Sequence, residues 1–390
     1  MQQLPKRLLS IDVLRAITML LMIFVNDASG VKHIPAWIDH AEGRADAMGF
    51  ADTIFPAFLF IVGLSLPFAI KNRMSKGDSF ISILIYILTR SAALIIMGFF
   101  HVNLESYSTA SILPKALWAI LITIAFFLIW LDYPETLSKA KRYTLMGIGV
   151  ALLIAMAIIY KGGDAFDPRW MRPSWWGILG IIGWAYLICA VVYLLAKGKL
   201  NVLVPVLVLF VAINIARHTG IIPKKIWLIG DASSITLTMG GIMISEIYAR
   251  LVSLGKTQRI WIIFGLTGIL LIVLGLLIRP YTQGISKIRS TPAWIFICSG
   301  ITVLVFELMI YLVDVKGKKN WFKIIWPAGT STLTCYLMPY FQVFLLMLFH
   351  INYPSVFNSG IIGLARSMAT AFILIALVGL MEKKRIRLKV

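Results

Sequence analysis

The sequence predicts an all-α fold: a polytopic bundle of about 12 transmembrane helices. Three observations carry this. The 390 residues are 59% hydrophobic and only 14% charged, well above the apolar share of roughly one half in soluble domains. Apolar runs of about 20 residues recur from end to end, each long enough to cross about 30 Å of hydrocarbon as a helix. The two-residue alternation of a membrane barrel is absent, so the backbone groups must be satisfied within helices.

Taken in order, the spans fall near 9–28, 52–71, 80–101, 114–131, 143–160, 175–196, 201–217, 228–249, 260–278, 293–313, 324–349 and 361–380. The connections are too short for a soluble domain, so residues 1–390 read as a single transmembrane domain. Residues 1–28 have the basic start of a signal peptide but lack a small-residue cleavage site, and we read them as a retained first helix.

A formal charge of +20 invites a nucleic-acid reading, but its distribution points to a lipid bilayer instead. With the N-terminus cytoplasmic, one side collects most of the 37 basic residues: Lys6, Arg7 and Arg15; Lys71, Arg73 and Lys76; Lys139, Lys141 and Arg142; Lys197 and Lys199; Arg250, Lys256 and Arg259; Lys316, Lys318, Lys319 and Lys323; and Lys383, Lys384, Arg385, Arg387 and Lys389. The positive-inside rule then puts both ends in the cytoplasm. No nucleic acid is needed as a partner. Cys189, Cys298 and Cys335 all fall within spans, at spacings that fit neither a disulfide framework nor a metal site, and read as packing residues.

Polar groups inside or beside spans are the candidates for chemistry. Asp12 and Arg15 stand three apart on the first helix and can pair near its cytoplasmic end. Asn26 and Asp27 close that helix. The following loop, "WIDHAEGRADAMGFADTIFP" (37–56), is the most polar outward segment, with Asp39, His40, Glu42, Asp46 and Asp52. A histidine there can act as a general base, with a nearby carboxylate fixing its tautomer. His33 and His40 are seven apart without a cysteine partner, so no metal is expected. The acidic run Glu42 to Asp46 reads as solvated, with attraction of a cationic amino sugar as the alternative.

Further along, Arg90 lies deep in the third span and needs a partner, with Glu246 and Glu307 as candidates, or an anionic ligand. "RPYTQGISKIRSTPAW" (279–294) is a basic outer loop carrying Lys287 and Arg289. "GDASSITLTMGGIMISE" (230–246) is dense in small residues, which suits close helix packing or the wall of a narrow tunnel.

Three segments in order carry a resemblance: "SIDVLRAITMLLMIFVN", a loop with "HA", and "ADTIFPAFLFIVG". Together they resemble the transmembrane acetyltransferases typified by lysosomal heparan-alpha-glucosaminide N-acetyltransferase and its bacterial relatives. Weaker echoes are "TRSAAL" (89–94), "GILGIIGWAYLICAVVYLL" (177–195), "GISKIRSTPAW" (284–294) and "LVDVKG" (312–317). Departures include Ala16 where the family has Gly, no Trp after the His-Ala pair, "GILGII" where a Gln-Arg pair is common, and "ISK" for Ile-Asn-Lys.

The resemblance implies transfer of acetyl from cytosolic acetyl-CoA to an amino sugar or glycan terminus across a bacterial inner membrane. It places the family's essential histidine at His40 and its catalytic Asn at Asn26, with Asp52 in support. Arg15, Arg90, Lys287 and Asp12 become candidates for binding substrate or CoA, and a homodimer is suggested. His40 would serve either as general base or as a nucleophile carrying the acetyl group. A ten-span family core makes 114–160 an inserted helical pair, and an even insertion leaves His40 outside. The competing reading is a transporter of a small anion or sugar coupled through Arg90 and Glu307; a third is a non-enzymatic membrane assembly or glycan-flipping partner.

Overall fold

Every apolar run of the sequence forms a helix in the computed structural model, which describes residues 8–164 and 167–390. Lys6 and Arg7, counted above with the cytoplasmic charge, lie outside the described residues. The helices are α1 (Leu9–Ala28), α2 (Ala51–Ser75), α3 (Phe80–Asn103), α4 (Lys115–Trp130), α5 (Lys139–Ile158), α6 (Gly177–Ala196), α7 (Leu200–His218), α8 (Ser233–Ser253), α9 (Gln258–Ile278), α10 (Pro292–Met309), α11 (Trp326–Thr330), α12 (Thr332–Leu348) and α13 (Gly360–Lys383).

Among the described residues ten helices have the length and apolarity to cross a membrane. The expected span at 324–349 is broken instead. α11 and its preceding 3-10 turns meet α12 at 77°, with Pro327 at the start of α11 and Ser331 at the break. α4 is a shorter apolar helix of 16 residues. Among the described residues the named strands are those of a small antiparallel hairpin, β1 (Gly162–Asp164) with β2 (Asp167–Arg169), in a segment read as loop.

Close approach through small residues builds the centre, as expected where lipid removes the hydrophobic drive between helices. α2 and α8 touch at Gly63 and Gly241: a Cβ on Gly63 would collide with the Thr238 carbonyl, and one on Gly241 with the Phe60 carbonyl. Gly98 of α3 meets the backbone of Gly180 in α6, and Gly268 of α9 faces Gly300 of α10. The small-residue segment 230–246 is therefore a packing element, and it lines neither of the two cavities described below.

α1, α2, α8 and α10 are mostly buried, whereas α5, α7 and α9 present most of their surface outward. α5 packs along α4, and α4 in turn against α12. The three cysteines are free and buried in the packing.

Ion pairs settle inside the bundle where helices bring them. Glu246 is bonded by Lys71 at 2.7 Å and by the Tyr193 hydroxyl at 2.6 Å, so it is not the partner of Arg90. Glu307 lies on α10 facing Gly265 of α9. Arg366 of α13 meets Asp27 at 2.9 Å at the end of α1.

Candidate functional site

The two polar loops expected to matter, 29–50 and 279–291, dock on each other at one end of the bundle. Asp46 is the hinge of that docking. Its carboxylate accepts from Arg279 Nε at 2.9 and 3.0 Å and from the Ile285 amide at 2.6 Å. The Ala47 amide reaches the Ile285 carbonyl at 3.1 Å, and Arg289 donates to the Ala45 carbonyl at 3.1 Å. The Ile285 amide, helped by Arg279, holds the Asp46 carboxyl below its ordinary value against slight desolvation. The expectation of a solvated acidic run is corrected here: Asp46 is a structural tie between loops. Gly284 makes this possible with φ +77°, a conformation that costs glycine little.

This docking delivers Lys287 to His40. His40 Nδ1 and Asp52 Oδ1 are 2.6 Å apart, with the Asp52 side chain 2% and the His40 side chain 31% exposed. The other Asp52 oxygen accepts from the Ala41 and Gly49 amides, each at 3.0 Å. Asp52 sits in the first turn of α2 and reaches back to an amide preceding the helix, as in a capping box, where the helix dipole also favours a negative charge. Gly49 is demanded by proximity, since a Cβ there would strike the Asp39 carbonyl. Trp294 of α10 donates to the Asp52 carbonyl at 3.0 Å.

With three acceptor bonds fixing Asp52, the carboxylate dictates the His40 tautomer: Nδ1 carries the proton and Nε2 is left as the base. Lys287 Nζ lies 3.2 Å from Nδ1 and 3.4 Å from Nε2, nearly equidistant from the two ring nitrogens. It is 3.9 Å from Asp52. Burial pushes the Lys287 ammonium below the usual lysine value, and the Asp52 charge only partly restores it.

His33 has no such setting. It is exposed and its Nδ1 meets only Ser359 Oγ at 3.1 Å, in a stretch where Lys32 pairs with Ser359.

The remaining candidates surround two cavities that open to the outside. The larger, about 480 Å³, is lined by Asp12, Arg15 and Arg90 among apolar residues of α1, α2, α3 and α6. Arg15 and Asp12 pair at 3.1 Å as expected, and Arg15 also donates to Ser65 Oγ at 2.6 Å and the Gly329 carbonyl at 3.1 Å. Arg90 donates to the Tyr86 hydroxyl and the Val390 carbonyl, both at 3.0 Å, and lies 5.2 Å from the Tyr186 ring. Neither Glu246 nor Glu307 is its partner, which removes the coupling pair on which a transporter reading rested.

The smaller cavity, about 310 Å³, is lined by Asn26 with apolar residues and Tyr340, and shares Met19, Met22 and Tyr336 with the larger one. The structure thus brings His40, Asp52 and Lys287 together, and separately strings Asp12, Arg15, Arg90 and Asn26 along adjoining cavities. His40 lines neither cavity.

Arg15 and Arg90 facing one chamber, with the buried Arg90 Nε unpartnered, fit an anion-bearing ligand. Among the described residues no group of three or more His, Cys, Asp or Glu side chains converges to hold a metal ion. Sequence reasoning missed Tyr86, although its place four residues before Arg90 on one helix face was visible. It also missed Ser65, Gly329 and Trp294, which tertiary packing alone brings in.

Comparison with known proteins gives a consistent picture. The family model described as "Domain of unknown function (DUF5009)" matches residues 7–236, more than half of the chain. The human heparan-alpha-glucosaminide N-acetyltransferase (Homo sapiens) is 36% identical over 100 residues, covering 26% of this chain and 14% of that protein. The mouse protein of the same name (Mus musculus) is 33% identical over 101 residues, covering 25% and 14%. The aligned part therefore spans about one seventh of these relatives' own length. The chain belongs to the DUF5009 family and is related to the heparan-alpha-glucosaminide N-acetyltransferases.

Proposed function

We propose that the protein is a membrane-embedded acetyltransferase that moves acetyl from cytosolic acetyl-CoA to the amine of a glucosamine-like sugar or glycan terminus on the other side of an inner membrane. The observation that carries this reading is the Asp52–His40–Lys287 cluster, a base with an enforced tautomer beside a lysine, on the loop that the resemblance marks. Partial identity to proteins named N-acetyltransferases supports the reaction class.

In this reading the basic residues Arg15 and Arg90 meet the anionic part of CoA in the larger chamber. The acyl-bearing arm runs past Met19, Met22 and Tyr336 toward Asn26, along the wall that the two cavities share. His40 Nε2 takes a proton from the acceptor amine as its nitrogen attacks the thioester carbon. The C–S bond breaks, CoA leaves as the thiolate, and His40 passes the proton it took to solvent. Asn26 supports the developing oxyanion with its amide N–H, and Asp52 keeps Nδ1–H oriented and stabilises the imidazolium that forms.

A general base fits better than an acetyl-histidine intermediate. A nucleophile must touch the thioester carbon, and His40 lines neither cavity; a base need only reach the incoming acceptor. Both chain ends facing the cytoplasm, with the His40 loop outside, completes the reading, and the positive-inside charge distribution supports it.

The test is to incubate detergent-purified protein with acetyl-CoA and glucosamine and to follow CoA release and N-acetyl product. Transfer that depends on His40, with no radiolabelled acetyl retained on the protein before acceptor is added, is the expected outcome. Label retained on the protein without acceptor sinks the direct scheme, and no acyl-CoA binding at all sinks the enzyme reading.

A further inference from the structure

The segment that follows α13 turns back toward the bundle and forms part of the wall of the larger cavity. The turn is made at Arg385, with φ +58°, and closed by the Ile386 amide on the Met381 carbonyl at 2.9 Å. Residues 387–389 then run antiparallel to 130–132. The Asp132 amide donates to the Arg387 carbonyl and the Lys389 amide to the Trp130 carbonyl, both at 2.8 Å.

Side chains clamp the same strip. Arg387 reaches Asp132 at 3.0 Å and Glu382 at 3.2 Å, and Lys389 reaches Asp132 at 3.3 Å. Inside, the Leu388 amide donates to the buried Thr334 Oγ1 at 2.9 Å. Leu388, Lys389 and Val390 form part of the wall of the 480 Å³ chamber, and the Val390 carbonyl occupies Arg90 Nη1 at 3.0 Å.

Two features make this strip unlike an ordinary tail packed on a surface. Its anchors are mostly polar and partly exposed, the class of contact that contributes little to stability and breaks easily. Its inner end occupies the arginine that a chamber ligand needs. Val390 offers Arg90 a single oxygen on Nη1 and leaves the buried Nε unpartnered, whereas a phosphate offers several oxygens to the guanidinium fork.

We propose that residues 384–390 are a gating strap over the Arg90 chamber, opened by an anionic phosphate-bearing ligand whose oxygen replaces the Val390 carbonyl on Arg90. The strap shields the chamber when no ligand is present and couples ligand arrival to opening, because the ligand favours only the state in which Arg90 is free. The identity of the ligand as acetyl-CoA rests on the function proposed above; the gate itself does not.

The antiparallel contact offers a direct test. Leu131 and Leu388 are opposed, and the hydrogen bonds on either side make them a non-hydrogen-bonded pair, the closer of the two antiparallel spacings and within disulfide reach. In full-length protein carrying Leu131→Cys, Leu388→Cys and a chamber reporter Leu94→Cys, maleimide labelling of residue 94 is measured with the strap oxidised and reduced. The expected result is labelling slowed roughly tenfold or more by oxidation and restored by reductant, as a shift of a two-state opening equilibrium requires. Asp132→Asn, with the strap cysteines absent, should speed labelling by roughly fivefold.

Opening by anions is read from the rate of disulfide formation between residues 131 and 388. Inorganic pyrophosphate should slow it, and replacement of Arg90 by Gln should remove that effect. Labelling that ignores the strap disulfide overturns the gate, and cross-linking indifferent to pyrophosphate overturns its opening by anions. If pyrophosphate slows cross-linking while acetyl-CoA does not, the gate stands and acetyl-CoA is the wrong ligand.

Discussion

Asp52 Oδ1 lies 2.6 Å from His40 Nδ1, and the same carboxylate is tied by the amides of Ala41 and Gly49. The carboxylate is thus held from both sides of the loop before it acts on the imidazole. An Asp52→Asn variant presents an amide that cannot satisfy both the two backbone donors and the imidazole N–H. The favoured tautomer is lost, and acetyl transfer should fall by roughly 10²–10⁴. Parallel measurement of thermal stability separates this loss from the cost of leaving a buried donor unmatched, about 1–3 kcal/mol.

Lys287 sets a pH limit. Burial lowers its folded value below the usual lysine range despite Asp52. Between the folded and unfolded values the unfolded chain binds more protons, so stability rises with pH across that window while the folded protein is losing the ammonium. If the charged form is required, transfer should decline on an alkaline limb lying below the ordinary lysine value. Lys287→Arg keeps the charge at every accessible pH and should shift that limb out of range, at some cost in rate. A pH–rate profile of the two proteins measures this.

How much of this was legible beforehand follows the physics of each feature. Apolar run length fixed the helices because a helix is the only open-chain solution in hydrocarbon, and even the short α4 was found. The break at Ser331 was not, although Pro327, Gly329, Thr330, Ser331 and Thr332 interrupt the apolar run at that point; the size of the bend is a matter of tertiary fit. His40 was separable from His33 only through the His-Ala resemblance; the structure supplies the physical ground, a carboxylate for one and an exposed serine for the other. Asp46 was misread because its partners lie more than two hundred residues away, and no local pattern announces such a tie. Arg90 was rightly seen to need a partner, but the phenol four residues before it and the 384–390 strap supply it.

The tie between loops should be separable from the chemistry. Arg279→Ala removes a pair about half-exposed on both sides, so its effect on global stability should be within about 1 kcal/mol. Limited proteolysis should nevertheless cut the 29–50 and 279–291 loops faster. Acidification should do the same: a carboxyl held below its ordinary value contributes docking that is fully present above the unfolded value and is lost as pH falls through the folded one.

Helix packing makes a different demand. Gly63→Val places a side chain against the backbone carbonyl of Thr238, which cannot swing away. Overpacking of this kind costs about 1–3 kcal/mol or more, and the variant should be poorly recovered from membranes. Gly43→Ala is the contrasting control, since its Cβ would meet only the Ile288 side chain at 3.3 Å. It should be recovered at normal levels.

The most direct measurement compares acetyl transfer by wild type and His40→Ala, both purified in detergent and matched for folding by thermal unfolding, with acetyl-CoA and glucosamine as substrates. A loss of roughly 10²–10⁴ in turnover with acetyl-CoA binding retained is the expected result. Undiminished transfer by His40→Ala would contradict the assignment of His40 as the base.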